Sequence, residues 1–353
     1  MASDQKVEKM IKVALAGFGK GGQIYNAPII SSVDGLEIVK ILTSGNKEEA
    51  KKEFPAAEVV EDYSKITEDK RINLVVITTP NHLHVQFAEQ ALEAGKNVVV
   101  EKPFTPTVKE ADYLISLAKR KNKIITVHHN RRWDSDFLTI QKIIKEDRLG
   151  KIVAYEAHFD RFRNYVKDNW KEEKAVPGSG ILYDLGSHLI DQALVLFGHP
   201  KEIFADLRAQ REHSEVVDNF ELILFYPDLK VSLRAGMLVK EPGARFSVFG
   251  RNGTFKKYGM DVQEEALQQG KNPKEDPDWG KEPEEIWGKI NTTNEEGRVK
   301  SELGNYTHLY QNIYNAILGK EDLLVKPEEA RDVIKVIELA QKSNAERRMV
   351  PFS

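Results

Sequence analysis

The run Asn97-Val98-Val99-Val100-Glu101-Lys102-Pro103 takes residues of strand character straight into a glutamate, a lysine and a proline. In an open parallel sheet, ligands bind just beyond the carboxyl ends of the strands, so an ammonium group there is available to move a proton or stabilise negative charge on oxygen. Far downstream, Asp184, His188 and Asp191 fall at i, i+4 and i+7 within the stretch Gly180 to Phe197, GILYDLGSHLIDQALVLF. On an α-helix this spacing stacks them along one face, and a carboxylate one turn before a histidine orients its ring and favours the imidazolium, as a general base requires. The same residues admit plainer readings, a solvated lysine at a strand exit and a buried histidine satisfied by its neighbour. Two carboxylates and an imidazole could also take a divalent ion, but the spacing matches none of the usual zinc signatures, and no metal is expected.

These groups need elements to hold them. From Ile11 the chain reads IKVALAGFGKGG, an apolar strand followed by Gly17, Gly19 and Gly22 in the G-x-G-x-x-G spacing. Gly17 suits a tight turn, Gly19 a close approach of backbone to a pyrophosphate, and Gly22 close packing of the next helix, which is expected to end near Ser32. The strand Leu36 to Leu42 ends where an adenosine ribose would sit. An NAD enzyme usually offers a carboxylate there, and this chain offers Thr43-Ser44-Gly45-Asn46-Lys47. Glu37 lies at the wrong end of the strand and reads as surface. Ser44, Asn46 and Lys47 can donate to a 2′-phosphate, so NADP is favoured over NAD. Further strands are expected at Asn73 to Thr79, Val98 to Glu101 and Ile124 to Val127. Between them lie a helix from His82 to Ala94 capped by Asn81 and another that starts at the capping box Thr107-Val108-Lys109-Glu110. Strands alternating with helices imply a parallel sheet covered on both faces.

After His128 the alternation changes. A helix Asp136 to Glu146 is followed by strand candidates at Lys151 to Arg161, Glu202 to Gln210, Asn219 to Tyr226, Lys230 to Leu238, Phe246 to Phe249 and Thr254 to Lys257. Consecutive strands without helices suggest a mainly antiparallel sheet whose second face needs a cover, and homo-oligomerisation is expected. Gly259 to Gly304 reads as a polar surface excursion, and helices Asn305 to Leu318 and Pro327 to Ser343 close the chain. The fold class is therefore α/β, with a dinucleotide-binding Rossmann domain over 1–128 and a substrate-binding and oligomerisation domain over 129–353. With 52 Lys and Arg against 55 Asp and Glu, net −3, nucleic acid is not expected as a partner. No apolar run approaches the roughly 18 residues that cross a bilayer. The stretch MASDQKVEKM lacks the apolar segment of a secretion signal, so a cytoplasmic protein is expected. Cysteine is absent, which excludes disulfides, thiolate nucleophiles and thiolate metal sites.

Three spaced motifs carry a resemblance: Thr79-Pro80-Asn81-x-x-His84, then Ala91-Leu92-x-Ala94-Gly95-Lys96-x-Val98, then Glu101-Lys102-Pro103. With Asp184-x-x-x-His188-x-x-Asp191, the chain over nearly its whole length resembles the glucose-fructose oxidoreductase, inositol dehydrogenase and rhizopine catabolism (Gfo/Idh/MocA) family. Within it, His129-Asn130-Arg131-Arg132-Trp133-Asp134 and the segment around Tyr183 look most like the NADP-dependent scyllo-inositol dehydrogenase branch. The resemblance implies a cis Lys102 to Pro103 bond and a catalytic set of Lys102, Asp184 and His188. It places Thr79, Pro80, Asn81, His84 and Glu101 at the cofactor and makes Arg132, Trp133, Tyr165 and Trp170 candidate cofactor or sugar contacts. It further implies reversible hydride transfer between a ring carbinol of a cyclic polyol or sugar and NADP or NAD in a homodimer or homotetramer. His188, held by Asp184, takes the hydroxyl proton while Lys102 hydrogen-bonds the same oxygen and stabilises its developing charge, with the exchange of these two roles as the alternative; Asp191 binds a substrate hydroxyl. Two other activities occur among relatives: a cofactor-sensing regulator without chemistry, and a glycosidase that uses tightly held NAD. Retention of the whole polar set favours the dehydrogenase.

Overall fold

Runs of aliphatic and β-branched residues too apolar for a one-sided sheet build the first layer. In the computed structural model, which describes residues 9–353, these runs form β1 (Ile11–Ala16), β2 (Leu36–Leu42), β3 (Glu58–Val60), β4 (Leu74–Ile77), β5 (Asn97–Val100) and β6 (Ile125–Val127). Residues 1–8, most of the stretch behind the cytoplasmic expectation, lie outside the described residues. The six strands are parallel in the order β3-β2-β1-β4-β5-β6, the doubly wound arrangement with its crevice beside β1 and β4. Helices His84–Glu93 and Val108–Lys121 bury Ala88, Leu92, Ala111 and Leu114 against one face. Helices Ala27–Ser31 and Thr307–Ile317 close the other with Ile29, Ile30, Tyr310 and Ile313.

Capping explains one of these helix starts and corrects another. Thr107 Oγ1 accepts from the Glu110 amide at 3.3 Å while the Thr107 amide donates to Glu110 Oε2 at 3.0 Å, the expected capping box. Asn81 makes no cap; its Nδ2 donates to the Gly178 carbonyl 2.9 Å away, tying the end of β4 to the second domain.

The second layer contains β7 (Ile152–His158), β8 (Glu202–Arg208), β9 (Asn219–Phe225), β10 (Lys230–Gly236), β11 (Phe246–Gly250), β12 (Gly253–Lys257), β13 (Gly288–Thr292), β14 (Glu296–Val299) and β15 (Val350–Pro351). Their order is β14-β13-β12-β11-β7-β10-β9-β8-β15, antiparallel throughout except for the pair β7 and β10. Alternate residues such as Tyr155, Ala205, Leu222 and Leu233 are buried, while Glu221, Lys230 and Arg234 point the other way and are exposed. The stretch 259–304 is not the surface excursion its polarity suggests. It adds β13 and β14 to the sheet and buries Gln263 and Trp279, with Trp279 Nε1 donating to Gln263 Oε1 at 2.9 Å. A strand buried on one face is half polar, and composition hid it.

The C-terminal helix Pro327–Glu346 returns to the first domain. Its Glu338 accepts from the Val108 amide at 2.8 Å, and Val325 just before it accepts from Thr126 Oγ1 at 2.7 Å. Among the described residues no helix is long and apolar enough to cross a membrane.

Candidate active site

At the end of β5, Glu101 and Lys102 diverge. Glu101 accepts from Asn26 Nδ2 at 2.6 Å and from the Lys102 amide at 3.0 Å, and His128 Nδ1 lies 3.0 Å away. Burial alone would raise its pKa, but the His128 ring, Lys102 and Asn26 hold it down to about 2. The Lys102–Pro103 peptide is cis. Lys102 Nζ donates to Asp184 Oδ1 at 2.8 Å and to the Asp184 carbonyl at 2.7 Å. Burial pushes the Lys102 ammonium down from its ordinary value; Asp184 opposes this and Lys171 adds to it. Asp184 is held well below the usual carboxylate range, because Lys102 and Lys171 outweigh the cost of burying its charge.

The stacked face predicted for Asp184 and His188 is interrupted. Leu182–Gly186 is a π-helical turn that passes into the α-helix Ser187–Phe197. Its i to i+5 bonding widens the turn and breaks the α spacing on which the carboxylate–imidazole pair depended. Asp184 therefore serves lysines, and neither His188 ring nitrogen has a protein partner among the described residues; Nδ1 is buried as well. Burial pushes the His188 pKa far down, and Lys102, Arg131 and His129 push it further, so the ring is neutral. It packs on Phe159, centroids 6.4 Å apart. His129 is also buried without a hydrogen bond, and burial takes its pKa to about 4 against the pull of Asp191 at 3.9 Å.

Asp191 and Arg132 are spent on each other. Arg132 donates to Asp191 through Nε at 2.9 Å and Nη2 at 2.6 Å, and Nη1 reaches Glu329 at 2.8 Å. This buried bidentate pair occupies one lone pair on each Asp191 oxygen and directs the Arg132 fork to Asp191 and Glu329. Asp184 is thus paired with lysines, Asp191 with Arg132, and the His188 ring with no protein group. Among the described residues no group of three or more His, Cys, Asp or Glu is arranged around a metal position.

The dinucleotide cleft follows the glycines. Gly17 has φ of +114°, and a Cβ on Gly22 would lie 2.2 Å from the Gly17 carbonyl oxygen, whereas a Cβ on Gly19 would meet nothing within 4 Å. The turn is thus packed from behind and open in front, as a pyrophosphate cradle must be. Ser44 is exposed at the end of β2; Asn46 Nδ2 donates to the Phe18 carbonyl at 2.6 Å and so braces the glycine loop. Lys47 Nζ sits 2.5 Å from Glu61, a carboxylate near the ribose end that no motif marked. Glu37 pairs with Lys12 on the surface, as expected. Beyond β4, Thr79 Oγ1 is buried without a partner, Pro80 leads into the turn Asn81–Leu83, and both ring nitrogens of His84 lie 3.0 Å from carbonyls, of Pro103 and of Thr79. These residues fit a bound dinucleotide: an open loop, an unspent hydroxyl and two strand ends clamped together.

Of the aromatic candidates, Trp133 is buried, Trp170 lies on the turn Trp170–Glu172 with Lys171 Nζ 5.6 Å over its ring, and Tyr165 is 60 % exposed. The cations gathered nearby were missed: Lys171 on Asp184, and Arg131, Arg161 and Arg245 within 5.1 Å of the Phe159 ring. No spacing rule points to them, since they come from four separate segments.

Over nearly its whole length the chain is similar to known proteins. Residues 11–129 match the family described as oxidoreductase family, NAD-binding Rossmann fold, and residues 141–352 its C-terminal alpha/beta domain. The chain is 42% identical over 344 residues to the scyllo-inositol 2-dehydrogenase (NADP(+)) IolW of Bacillus subtilis (strain 168), covering 96% of this chain and 95% of that one. It is 41% identical over 342 residues to the uncharacterized oxidoreductase YdgJ of Escherichia coli (strain K12), covering 96% and 97%. Among solved structures, the yvaA protein from Bacillus subtilis in triclinic form superposes with a TM-score of 0.94 at 41% identity, over 98% of this chain and 99% of that one.

Proposed function

Because the chain belongs to the Gfo/Idh/MocA oxidoreductase family, we propose that it interconverts a ring carbinol of an inositol-like polyol or sugar with the corresponding ketone, using NADP in preference to NAD. The nicotinamide, when bound, supplies the hydride acceptor or donor. Lys102 carries the proton. Its burial favours the neutral amine, which can take the hydroxyl proton on oxidation and return it on reduction. Asp184 fixes the lysine head at the end of β5. His188, neutral and unpartnered, hydrogen-bonds the same substrate oxygen and steadies its developing charge. This exchanges the order in which the sequence put the two groups first, because a histidine pushed so far down is a poor proton acceptor.

Residues 1–128 would hold the cofactor, with Gly17, Gly19 and Gly22 at the pyrophosphate and Ser44 and Lys47 at the 2′-phosphate. Residues 129–353 would bind substrate and a second copy of the chain, whose contact would cover the outer face of the second sheet where Phe204, Ile223 and Phe225 are half-buried. A cytoplasmic location and a dimer or tetramer go with this reading. The observation that carries it is the largely buried Lys102, held by an aspartate four residues before an imidazole that has no protein partner. The test is a panel of inositols, aldoses and ketoses assayed with NADP and NAD. NADPH produced from at least one cyclic polyol supports the reading. A glycoside cleaved with cofactor unchanged, or no turnover on any member, counts against it.

A further inference from the structure

The Lys102–Asp184 pair has a third member. Lys171 Nζ lies 2.7 Å from Asp184 Oδ1, the same oxygen that accepts from Lys102 Nζ at 2.8 Å. Two ammonium groups therefore meet at one carboxylate oxygen, one 15 % exposed and the other 45 %. The position of Lys171 is built into the backbone. Asn169 Oδ1 accepts from its amide at 3.0 Å, and its carbonyl accepts at 2.9 Å from Gly180, which starts the segment that carries Asp184. Next in the chain, Glu172 is fastened to Arg211 at 2.6 Å, so the turn cannot drift from the site.

A carboxylate that serves one ammonium stabilises its charge; one shared between two serves each less, and the second charge repels the first. Glu101 and Asp184 favour the Lys102 ammonium, Glu264 lies across the site, and His129 and His188 are buried without charge. Arg161 also faces Asp184 and Glu264, and Arg131 faces Glu264, but Lys171 is the cation that shares a carboxylate oxygen with Lys102.

We propose that Lys171 is a positioning residue that, by sharing Asp184 Oδ1, weakens the hold of that carboxylate on the Lys102 ammonium and so makes Lys102 the readier to exchange its proton. This rests on the reading of Lys102 as the proton carrier. Removing Lys171 gives the whole carboxylate to Lys102 and stabilises its ammonium form. Polyol oxidation, which needs the amine, then loses rate at the acid end of its profile; ketone reduction, which needs the ammonium, gains rate at the alkaline end.

The test compares wild type, Lys171→Met and Lys171→Arg. Rates of kcat/KM against pH are taken with saturating NADP and the best polyol of the panel. Independently of turnover, lysines are reductively methylated with 13C and titrated by NMR, the Lys102 signal being identified by its loss in Lys102→Met. In Lys171→Met the acid limb should move to higher pH, so that the rate at a fixed pH on it falls about tenfold, one pH unit being a factor of ten. The Lys102 signal should move in the same direction, and Lys171→Arg should keep the wild-type limb. An unmoved limb and unmoved titration in Lys171→Met overturn the inference, even if the rate drops uniformly. Retained turnover in Lys102→Met would instead refute the proton-carrier reading, and the NMR titration would still decide what Lys171 does to Lys102.

Discussion

Two glycines of one loop should respond in opposite ways to the same methyl group. A Cβ on Gly22 would stand 2.2 Å from the Gly17 carbonyl oxygen and 2.8 Å from Thr78 Oγ1. A relaxed carbon–oxygen contact needs roughly 3.3 Å or more. The shortfall is against backbone in a tight turn, which can yield only by moving β1. Overpacking of this kind costs about 1–3 kcal/mol or more, and at an unfolding entropy of about 2.1 cal/mol/K per residue each kcal/mol lowers Tm by roughly 1–2 °C in a chain of this length. Gly22→Ala should therefore unfold a few degrees lower. Gly19 has open space at its Cβ and a φ outside the left-handed region, so Gly19→Ala should leave Tm unchanged or raise it slightly, the unfolded chain losing about 0.4–1 kcal/mol of freedom. Its methyl would project where backbone must approach a pyrophosphate, and NADPH should bind at least about tenfold more weakly. Calorimetry without cofactor and fluorescence titration with NADPH separate the two effects. Wild-type NADPH affinity in Gly19→Ala would refute the placement of the pyrophosphate, and a wild-type Tm in Gly22→Ala would refute the packing argument.

Lys102→Met and His188→Ala should each lower kcat by about 10²–10⁴, the usual worth of a positioned proton-transfer group, with NADPH affinity little changed by titration. Arg132→Met strands the buried Asp191 carboxylate and should cost about 3–5 kcal/mol in denaturant unfolding. Burial raises the Asp191 pKa but Arg132 holds it below the ordinary value, so the pair adds stability above the unfolded pKa near about 4 and loses it as pH falls through the folded one. Removing the arginine should raise the pH of acid unfolding; an unshifted midpoint would deny the pair that role. Lys47→Glu should shift the ratio of kcat/KM from NADP towards NAD, and a ratio unchanged from wild type would remove Lys47 from the 2′-phosphate site.

The first sheet was legible because its strands are short, mainly aliphatic runs, as in Leu74–Ile77 and Asn97–Val100, whereas the three-residue Glu58–Val60 was too short to read. Leu36–Leu42 was bounded correctly, and the Thr107 capping box formed as read. The second sheet was legible where alternation was strong, as in Asn219–Phe225, and lost where charge masked it, as in Gly288–Thr292. Lys102 was found because its strand names its own end. The partner of Asp184 was misjudged because helical spacing assumes 3.6 residues per turn, and the turn Leu182–Gly186 is wider. Asn81 was a good cap by type, yet Gly178, distant in sequence, claimed its amide. Lys171, Glu61 and Asn26 left no signal at all, since each acts through a residue on a different element.

Hydride transfer by this route requires Lys102 and His188 to meet at one substrate oxygen. A crystal structure of the protein with NADP and a cyclic polyol tests this most directly. The reacting hydroxyl should lie within roughly 3 Å of both Lys102 Nζ and a ring nitrogen of His188, with its carbon facing the nicotinamide. A polyol bound elsewhere, or a hydroxyl in reach of only one of the two side chains, would contradict it.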